Sequence, residues 1–390
     1  MIARIVILLL AVVIAPELYF QLRRLYRGRT PWWKNVLIWV PCLLMTAYTV
    51  YLTLDKDFYP LNAWLMYVYL LLLGLYFVPR AIVAICMAVG QGAKPRRRRG
   101  RSWSKILGIV LSLLVIYVLI YGVTIGPRKL EVKRVDITLS KLPAAFDGYR
   151  IVLLADIHAG AIDEQLLTSA IDSVNMFKAD AIAFAGDIQN MTSAELKPFA
   201  AVLTSSKARD GVFSVLGNHD YCSFYRKSEP PAVLQADEQK TIALQRSFGW
   251  QMLCNEHKAV TRGSDTIYFV GTENDGHSKK QQKGDFRKAV AGVPDGAFMI
   301  MLQHDPSSWQ RNVLPKTTAQ LTLSGHTHGG QLALFGLRAT QVLGLKDYGL
   351  YEDSGRYLYV TSGLGSLFPF RFGVPPEIVV ITLHSATIRK

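Results

Sequence analysis

Four long apolar stretches occupy the first third of the chain, and they restrict the folds that this part can adopt. They cover residues 5–20, 36–54, 63–89 and 106–126. Because a helix needs about 20 apolar residues to cross a bilayer, we predict four transmembrane α-helices in a membrane domain over residues 1–127. The first stretch is broken by Pro16 and Glu17, so it could instead be the core of a signal peptide.

Positive charge is concentrated in two segments between these stretches. The formal net charge of +15 arises from 44 Lys and Arg against 29 Asp and Glu. Segments 21–34 and 91–105 are rich in Arg and Lys and contain no acidic residue. Since cytoplasmic loops are enriched in Lys and Arg, we predict a multi-pass inner-membrane protein whose polar C-terminal region is extracytoplasmic. The Arg run at 96–99 could instead bind nucleic acid, but its place between apolar stretches favours topology, and we expect no nucleic-acid partner.

Beyond residue 127 the pattern changes to short apolar runs of the buried-strand kind. The runs 149–155, 181–185 and 212–216 are separated by helical stretches near 164–177 and 194–204. Alternation of strand and helix predicts an α/β domain with parallel strands, here over residues 128–390. In such domains the active groups follow the carboxyl ends of the strands.

Polar clusters follow five of the apolar runs. The first three clusters begin near Asp156, Asp187 and Asn218, about 30 residues or one βα unit apart, so we expect them along one edge of the sheet. Two later runs, 298–303 and 321–323, lead to further clusters. Their polar residues are His304 and the segment Gly325-His326-Thr327-His328.

The side chains in these clusters are typical metal ligands. Residues at i and i+2 leaving a strand point to one side, so Asp156 with His158, and His326 with His328, could direct ligands into one pocket. Carboxylates, imidazoles and an amide oxygen without thiolates suit Mn, Fe or Zn, and seven candidates suit two divalent ions about 4 Å apart. The candidates are Asp156, His158, Asp187, Asn218, His304, His326 and His328.

The remaining histidines and the cysteines of the polar region do not indicate a functional site. Of the eight histidines in the chain, His257, His277 and His384 lie outside the clusters, and we expect them to be structural or on the surface. In the polar region Cys222 and Cys254 could form a disulfide, although their spacing does not require one.

The ordered motifs resemble those of the calcineurin-like metallophosphoesterases. They are Asp-Ile-His at 156–158, Gly-Asp at 186–187, Gly-Asn-His-Asp at 217–220, the isolated His304 and Gly-His-Thr-His at 325–328. The resemblance covers about residues 141–384. The four spans, the lead-in at 142–150 and the tail around 363–378 are similar to the bacterial membrane-anchored branch. The resemblance implies a four-layer α/β/β/α sandwich preceded by four transmembrane α-helices.

The resemblance also implies a role for each motif residue. Asp156, His158 and His328 would hold one metal ion. Asn218, His304 and His326 would hold the other, and Asp187 would bridge both. A hydroxide bridging the two ions would be the nucleophile, since two cations deprotonate water near neutral pH and offset the charge on the phosphate. His219 would be the general acid that protonates the leaving oxygen, or alternatively a hydrogen-bond partner of the phosphate.

Departures from the family pattern reduce the range of expected substrates. Phosphoprotein phosphatases carry an Asp-Arg-Gly after Gly-Asp and a Gly-Asn-His-Glu, whereas this chain has Asp187-Ile-Gln-Asn and Asp220. A protein phosphatase is therefore not expected. Arg371, among Phe368, Phe370 and Phe372, could bind the phosphate of a lipid-linked substrate, and ordinary packing of the tail is an equal alternative.

We therefore predict a membrane-anchored phosphohydrolase that contacts membrane lipid. Its substrate would be a phosphodiester, a phosphomonoester or a lipid-linked pyrophosphate. The alternative is a transporter-like or sensor membrane protein with a regulatory phosphoesterase domain. Few charges lie within the spans, which disfavours a transport pathway.

Overall fold

The computed structural model describes residues 2–25, 31–54, 63–92, 103–223, 226 and 229–386. It contains two compact units, Met1–Tyr121 and Gly122–Lys390. The central parts of both basic segments, including residues 96–99, lie outside the described ranges, as does the short polar loop at 55–62.

The first unit is made of apolar helices. They are α1 (Ile2–Leu25), α2 (Trp32–Leu54), α3 (Ala63–Leu72), α4 (Val78–Gly92) and α5 (Trp103–Thr124), of which α5 continues into the second unit. Four helical windows are long and apolar enough to cross a membrane: Val6–Arg23, Val36–Leu54, Trp64–Gly90 and Trp103–Arg128. The four apolar helices predicted from the sequence are therefore confirmed.

The third window is helical throughout although it contains a proline. A π-helical turn, Leu73–Phe77, joins α3 to α4 directly before Pro79. Because proline lacks an N–H group and crowds the preceding turn, a wider turn at this point lets the helix continue. Two charged residues within the apolar windows, Glu17 and Arg80, form an ion pair with each other, as expected for charges in apolar surroundings.

The second unit contains two six-stranded sheets. The strands of the first sheet are β1 (Glu131–Leu139), β2 (Tyr149–Leu154), β3 (Ala181–Phe184), β4 (Val212–Ser214), β5 (Gln251–Met252) and β14 (Glu377–Ser385). Those of the second are β6 (Glu256–Arg262), β7 (Asp265–Gly271), β8 (Phe298–Leu302), β9 (Leu321–Ser324), β12 (Gly349–Asp353) and β13 (Arg356–Val360). A small hairpin pairs β10 (Ala333–Leu334) with β11 (Leu337–Arg338).

The strand order decides where the polar clusters meet. It is β1-β14-β2-β3-β4-β5 in the first sheet and β12-β13-β9-β8-β7-β6 in the second. Strands β2 to β5 are mutually parallel, and so are β7, β8, β9 and β13. The first three clusters therefore share one sheet edge, as predicted, while the last two follow strands of the second sheet.

Helices cover the outer faces of the sheets. They are α6 (Glu164–Met176), α7 (Ala200–Thr204), α8 (Pro231–Ser247), α9 (Phe286–Ala289) and α10 (Leu314–Lys316). A further short helix, α11 (Ala339–Val342), follows the β10–β11 hairpin and has no buried residue. One apolar core lies between the sheets and includes Ile151, Phe213 and Phe269. A second core packs α6 on the first sheet, and a third, around Trp309, covers the second sheet. This arrangement confirms the predicted four-layer α/β/β/α sandwich.

Two local expectations are refined by the structure. The helical stretch near 194–204 is a 3₁₀ helix, Ser193–Phe199, followed by α7, and Pro198 inside it cannot donate a helical hydrogen bond. All four cysteines lie in the described ranges and are free thiols, so Cys222 and Cys254 do not form the disulfide that their positions allowed.

Candidate metal centre

The loops after β2, β3, β4, β8 and β9 bring the predicted ligands together. Asp156, His158 and His328 each offer one ligand atom, and these atoms lie within 4.8 Å of one another. Nε2 of His158 is 3.9 Å from Oδ1 of Asp156, and Nε2 of His328 is 3.8 Å from the same oxygen. These separations suit three ligands around one ion, because metal–ligand bonds are about 2 Å long.

A second group lies beside the first. Asp187, His304 and His326 also present ligand atoms within 4.8 Å of one another. Nε2 of His304 is 3.0 Å from Oδ2 of Asp187 and 3.2 Å from Oδ1 of Asn218. The same Asp187 oxygen is 3.8 Å from Nε2 of His158. Asp187 therefore lies between the two groups.

The backbone at these positions is unusual. Asp156, His158, Asp187, His326 and His328 all have positive φ angles, between 51° and 75°, in the left-handed region that non-glycine residues rarely adopt. The alternation of an extended strand, on which the sequence interpretation relied, is therefore not what directs these side chains inward. Such strain is retained where surrounding structure holds it, and here the N–H groups of Asp156 and His158 donate to the carbonyls of Gly186 and Asp187.

Glycines permit the close approach of these loops. A Cβ atom on Gly217 would collide with Oδ1 of Asp187, and one on Gly325 would collide with Oδ2 of Asp156. The carboxylates of the candidate ligands therefore occupy the space that a side chain at either glycine would need.

The histidines are oriented by hydrogen bonds to their other ring nitrogen. Nδ1 of His158 is 2.7 Å from Oδ1 of Asn190, and Nδ1 of His304 is 2.7 Å from the carbonyl of Ala185. When Nδ1 donates, Nε2 carries the lone pair and faces the cluster, which is the usual arrangement of metal-binding histidines.

One buried atom tests whether a cation fits. Within the described part of the chain, Nε2 of His158 is buried and has no hydrogen-bond partner. A buried polar atom without a partner is costly, and a divalent cation between His158, Asp156 and Asp187 would satisfy it. The donor set of imidazoles, carboxylates and an amide oxygen also suits such an ion, so these residues fit divalent metal binding.

Burial sets the protonation of the cluster. Desolvation lowers the pKa of His158 to about 3 and holds the pKa of His328 well below its usual value, so both imidazoles are neutral near pH 7 and able to bind a metal. Burial alone would raise the pKa of Asp187, but the imidazole of His304 holds it well below its usual range. The Asp187 carboxylate in turn outweighs desolvation and raises the pKa of His304 to about 10. A protonated His304 would have to lose this proton in order to bind a metal ion.

His219, the predicted general acid, lies at the edge of this cluster. Its backbone N–H donates to Oδ1 of Asp187 over 2.8 Å, and its Nδ1 is 2.8 Å from the carbonyl of Asn190. Its ring lies edge-to-face against that of His158, with centroids 4.8 Å apart. His219 is thus placed next to both groups, within reach of a molecule bound there.

Three residues at the site were not identified as functional from the sequence. Asn190 orients His158, and the carboxylate of Asp305 lies 3.6 Å from Nε2 of His326. Asp220 accepts from the backbone N–H groups of Gly217 and Asp187 over 2.8 and 2.9 Å. The available signal was their proximity in sequence to a motif, since each lies within three residues of a predicted ligand.

Arg371, the predicted substrate-binding residue, is held within the fold. The side chain is only 1% exposed. Its guanidinium donates to the carbonyls of His328, Ser362 and Gly365 over 3.2, 2.8 and 2.5 Å. Because these donors are used within the fold, Arg371 positions the loop that carries His328, as the tail-packing alternative predicts. Its role in binding substrate stays a prediction.

The contact between Asn190 and His158 leads to a first prediction. Asn190→Leu removes the acceptor for Nδ1 of His158, and loss of such a partner lowers metal affinity about 10- to 100-fold. Asn190→Asp keeps an acceptor oxygen and should stay close to the parent. Titration of the metal-depleted full chain with Mn²⁺ measures both, and equal affinities for the parent and the Leu variant would contradict the orienting role.

Together the fold and the donor set define a metal-binding α/β/β/α domain. Residues 149–330 match the family model described as calcineurin-like phosphoesterase. The second unit therefore contains a domain of the calcineurin-like metallophosphoesterase superfamily.

Curated relatives agree with this assignment. A Danio rerio "Transmembrane protein with metallophosphoesterase domain" is 31% identical over 71% of this chain and 63% of that protein. An "Uncharacterized metallophosphoesterase" of Helicobacter pylori strain J99 is 29% identical over 74% of this chain and 73% of its own length. Bacillus subtilis YkuE is 29% identical over 68% of this chain and 89% of its own length.

The chain spans less than two thirds of the Danio rerio relative and of a Bos taurus protein of the same description, of which it covers 62%. Both are named as transmembrane proteins. With the four apolar helices of the first unit, this makes the chain a membrane protein.

Proposed function

We propose that the chain is a membrane-anchored phosphohydrolase that uses two divalent metal ions to cleave a phosphoester bond. The observation that carries the proposal is the position of Asp187 between two groups of ligand atoms. A carboxylate shared by two ions is the arrangement that dinuclear hydrolases require. Manganese, iron and zinc all suit the donor set.

Each residue of the cluster has a proposed part. Asp156, His158 and His328 would hold one ion, and Asn218, His304 and His326 the other, with Asp187 shared. When bound, two cations lower the pKa of water and offset the negative charge that develops on phosphate. The protein needs no serine or cysteine nucleophile for this reaction.

His219 is proposed to move the proton. Because its Nδ1 donates to the carbonyl of Asn190, the protonated form of this imidazole has Nε2–H free to give its proton to the leaving oxygen. A general acid contributes most when the leaving group is a poor one. The neighbouring Asp187 oxygen accepts from the backbone N–H of His219, which fixes this imidazole relative to the metal ligands.

The proposed substrate is a phosphate ester that is a phosphodiester, a phosphomonoester or a lipid-linked pyrophosphate. Membrane anchoring supports a lipid-linked substrate because it keeps the site beside the bilayer. The basic segments 21–34 and 91–105 support a multi-pass inner-membrane topology with the catalytic domain, residues 128–390, outside the cytoplasm.

Replacement of His219 separates proton transfer from metal binding. We expect His219→Gln to lower turnover of an alkyl phosphate ester about 100-fold, with a smaller loss for a 4-nitrophenyl ester, whose leaving group needs no proton. Bound metal per chain should be unchanged. His257→Gln, a histidine outside the cluster, is the matched control. Loss of metal from the His219 variant would show that this residue is a ligand instead.

The proposed function is tested directly with the purified full chain. Phosphate or nitrophenolate release should appear with Mn²⁺, disappear after chelation and return when Mn²⁺ is restored. Comparison of aryl monoesters, aryl diesters and lipid-linked phosphates then ranks the substrate classes. Failure of every class with manganese, iron and zinc would exclude the proposal.

A further inference from the structure

One loop of the second unit exposes a large apolar surface. We call residues 334–345 the apolar loop. Phe335 at its tip is fully exposed, at 101%, and Val342 and Leu343 are each 75% exposed. Three more exposed side chains accompany them: Leu334, Leu337 and Leu345. Adjacent large apolar side chains of this kind mark an interaction surface, because isolated proteins rarely leave them in water.

The apolar loop carries almost no charge. Between residues 331 and 345 the sequence has Arg338 as its sole charged residue. The guanidinium of Arg338 forms two hydrogen bonds to the carboxylate of Asp347, over 2.7 and 3.1 Å. The charge is thus paired at the base of the loop, while the exposed tip is neutral.

Backbone hydrogen bonds link this loop to the end of the fourth apolar helix. The N–H of Ala333 donates to the carbonyl of Phe372, and the N–H of Phe372 donates to Gln331. The residue before Phe372 is Arg371, and its backbone N–H donates to the carbonyl of Gly122 over 2.8 Å. Gly122 belongs to the second unit and also to the apolar window Trp103–Arg128. The apolar loop therefore begins beside the point where the chain leaves its fourth candidate span.

We propose that the apolar loop inserts into the lipid bilayer next to the end of the fourth span. A bilayer is the occupant that these observations favour, since the surface is apolar, its charge is paired at the base, and it adjoins a helix suited to hydrocarbon. Phe and Leu side chains of such membrane-surface segments are immersed about 5–10 Å into the boundary between headgroups and acyl chains.

The base of the loop is joined to the metal centre. The hydroxyls of Thr327 and Thr340 donate to the main-chain carbonyl and the carboxylate of Asp347, over 2.5 and 2.6 Å. Thr327 lies between the candidate ligands His326 and His328. An inserted loop would thus hold the metal centre at the membrane surface, and, if the proposed function is correct, this favours a phosphate ester in a lipid headgroup.

Site-directed spin labelling measures the immersion. The full chain carrying Phe335→Cys is labelled with a nitroxide and reconstituted into nanodiscs of phosphatidylcholine and phosphatidylglycerol. Relaxation by oxygen and by a water-soluble nickel complex then gives the depth of the label. Ser264→Cys is the matched control, because Ser264 is exposed in the turn between β6 and β7, at the far edge and opposite end of the second sheet. The labelled parent chain gives the background from native cysteines.

We expect the label at 335 to lie about 5–10 Å below the phosphate level, shielded from nickel, and the label at 264 to remain in water. Equal nickel access at both positions would overturn the proposal. Strong dipolar broadening between labels on two chains would also overturn it, in favour of a second copy. Leu343→Cys repeats the test if the first variant does not fold. Since no step uses catalysis, an inactive protein with an immersed loop would count against the proposed function alone.

Discussion

Asp187→Asn should reduce phosphoester hydrolysis by about 1,000-fold or more, because shared metal coordination contributes several kcal/mol of transition-state stabilisation. The fold should survive the change. Oδ1 of Asp187 accepts from the backbone N–H of His219, and an asparagine oxygen can accept the same bond. The amide, however, carries no charge to hold two cations. Bound metal per chain should fall together with the rate.

A matched control separates this effect from a general loss of charge. Asp172 is exposed on α6, and Asp172→Asn makes the same chemical change away from the cluster. The variants are compared by kcat/KM on an aryl phosphodiester, by metal analysis and by the thermal unfolding midpoint. If Asp187→Asn kept the parent rate, Asp187 could not be the shared ligand.

The second large effect is expected for Asp220→Asn, which should lower the free energy of unfolding by about 3 kcal/mol. The Asp220 carboxylate is fully buried and accepts backbone hydrogen bonds at both oxygens. Its donors are the backbone N–H groups of Gly217, Asp187, Ile188 and Gln189. An asparagine turns one of these acceptors into an NH₂ group that would face N–H donors. Because the bonds tie the loop of Asp187 to that of Asn218, activity should fall as well.

Asp220→Glu is the informative comparison, because it retains both acceptor oxygens on a longer side chain. We expect this variant to recover part of the stability that the asparagine variant loses. Chemical denaturation of the chain in detergent, followed by tryptophan fluorescence, measures both. A parent-like unfolding midpoint for Asp220→Asn would mean that the hydrogen bonds of Asp220 between the two loops contribute little to the free energy of unfolding.

The strands and the ligand set were readable from the sequence because their signals are local. The runs 149–155 and 181–185 are short and apolar, and β2 and β3 end within two residues of the predicted limits. Parallel neighbours then place Asp156 and Asp187 at the same edge. His304 and His326 were assigned to this site because each follows a short apolar run, and the second, facing sheet was implied by the family resemblance alone.

Other features depend on contacts between distant segments. The left-handed backbone of Asp156 and His328 is imposed by neighbouring loops, and no local residue preference predicts it. The burial of Arg371 could not be predicted because its three carbonyl partners lie on two other segments of the fold. The exposure of the apolar loop also escaped notice, since a short sequence such as Leu334-Phe335-Gly336-Leu337 has the composition of an ordinary core strand.

Asn190 serves two histidines in chemically different ways, and this limits what mutagenesis can show. Its side chain meets His158, but its peptide carbonyl meets His219, and no amino-acid exchange deletes a carbonyl. A saturation library at codon 190 would therefore report on metal loading through His158. It would leave the backbone acceptor of His219, the proposed proton donor, in place. An ester in place of the peptide bond between residues 190 and 191 weakens that carbonyl as an acceptor. The contribution of the carbonyl to His219 would then be measured as a change in how the rate depends on the leaving group, at constant metal content.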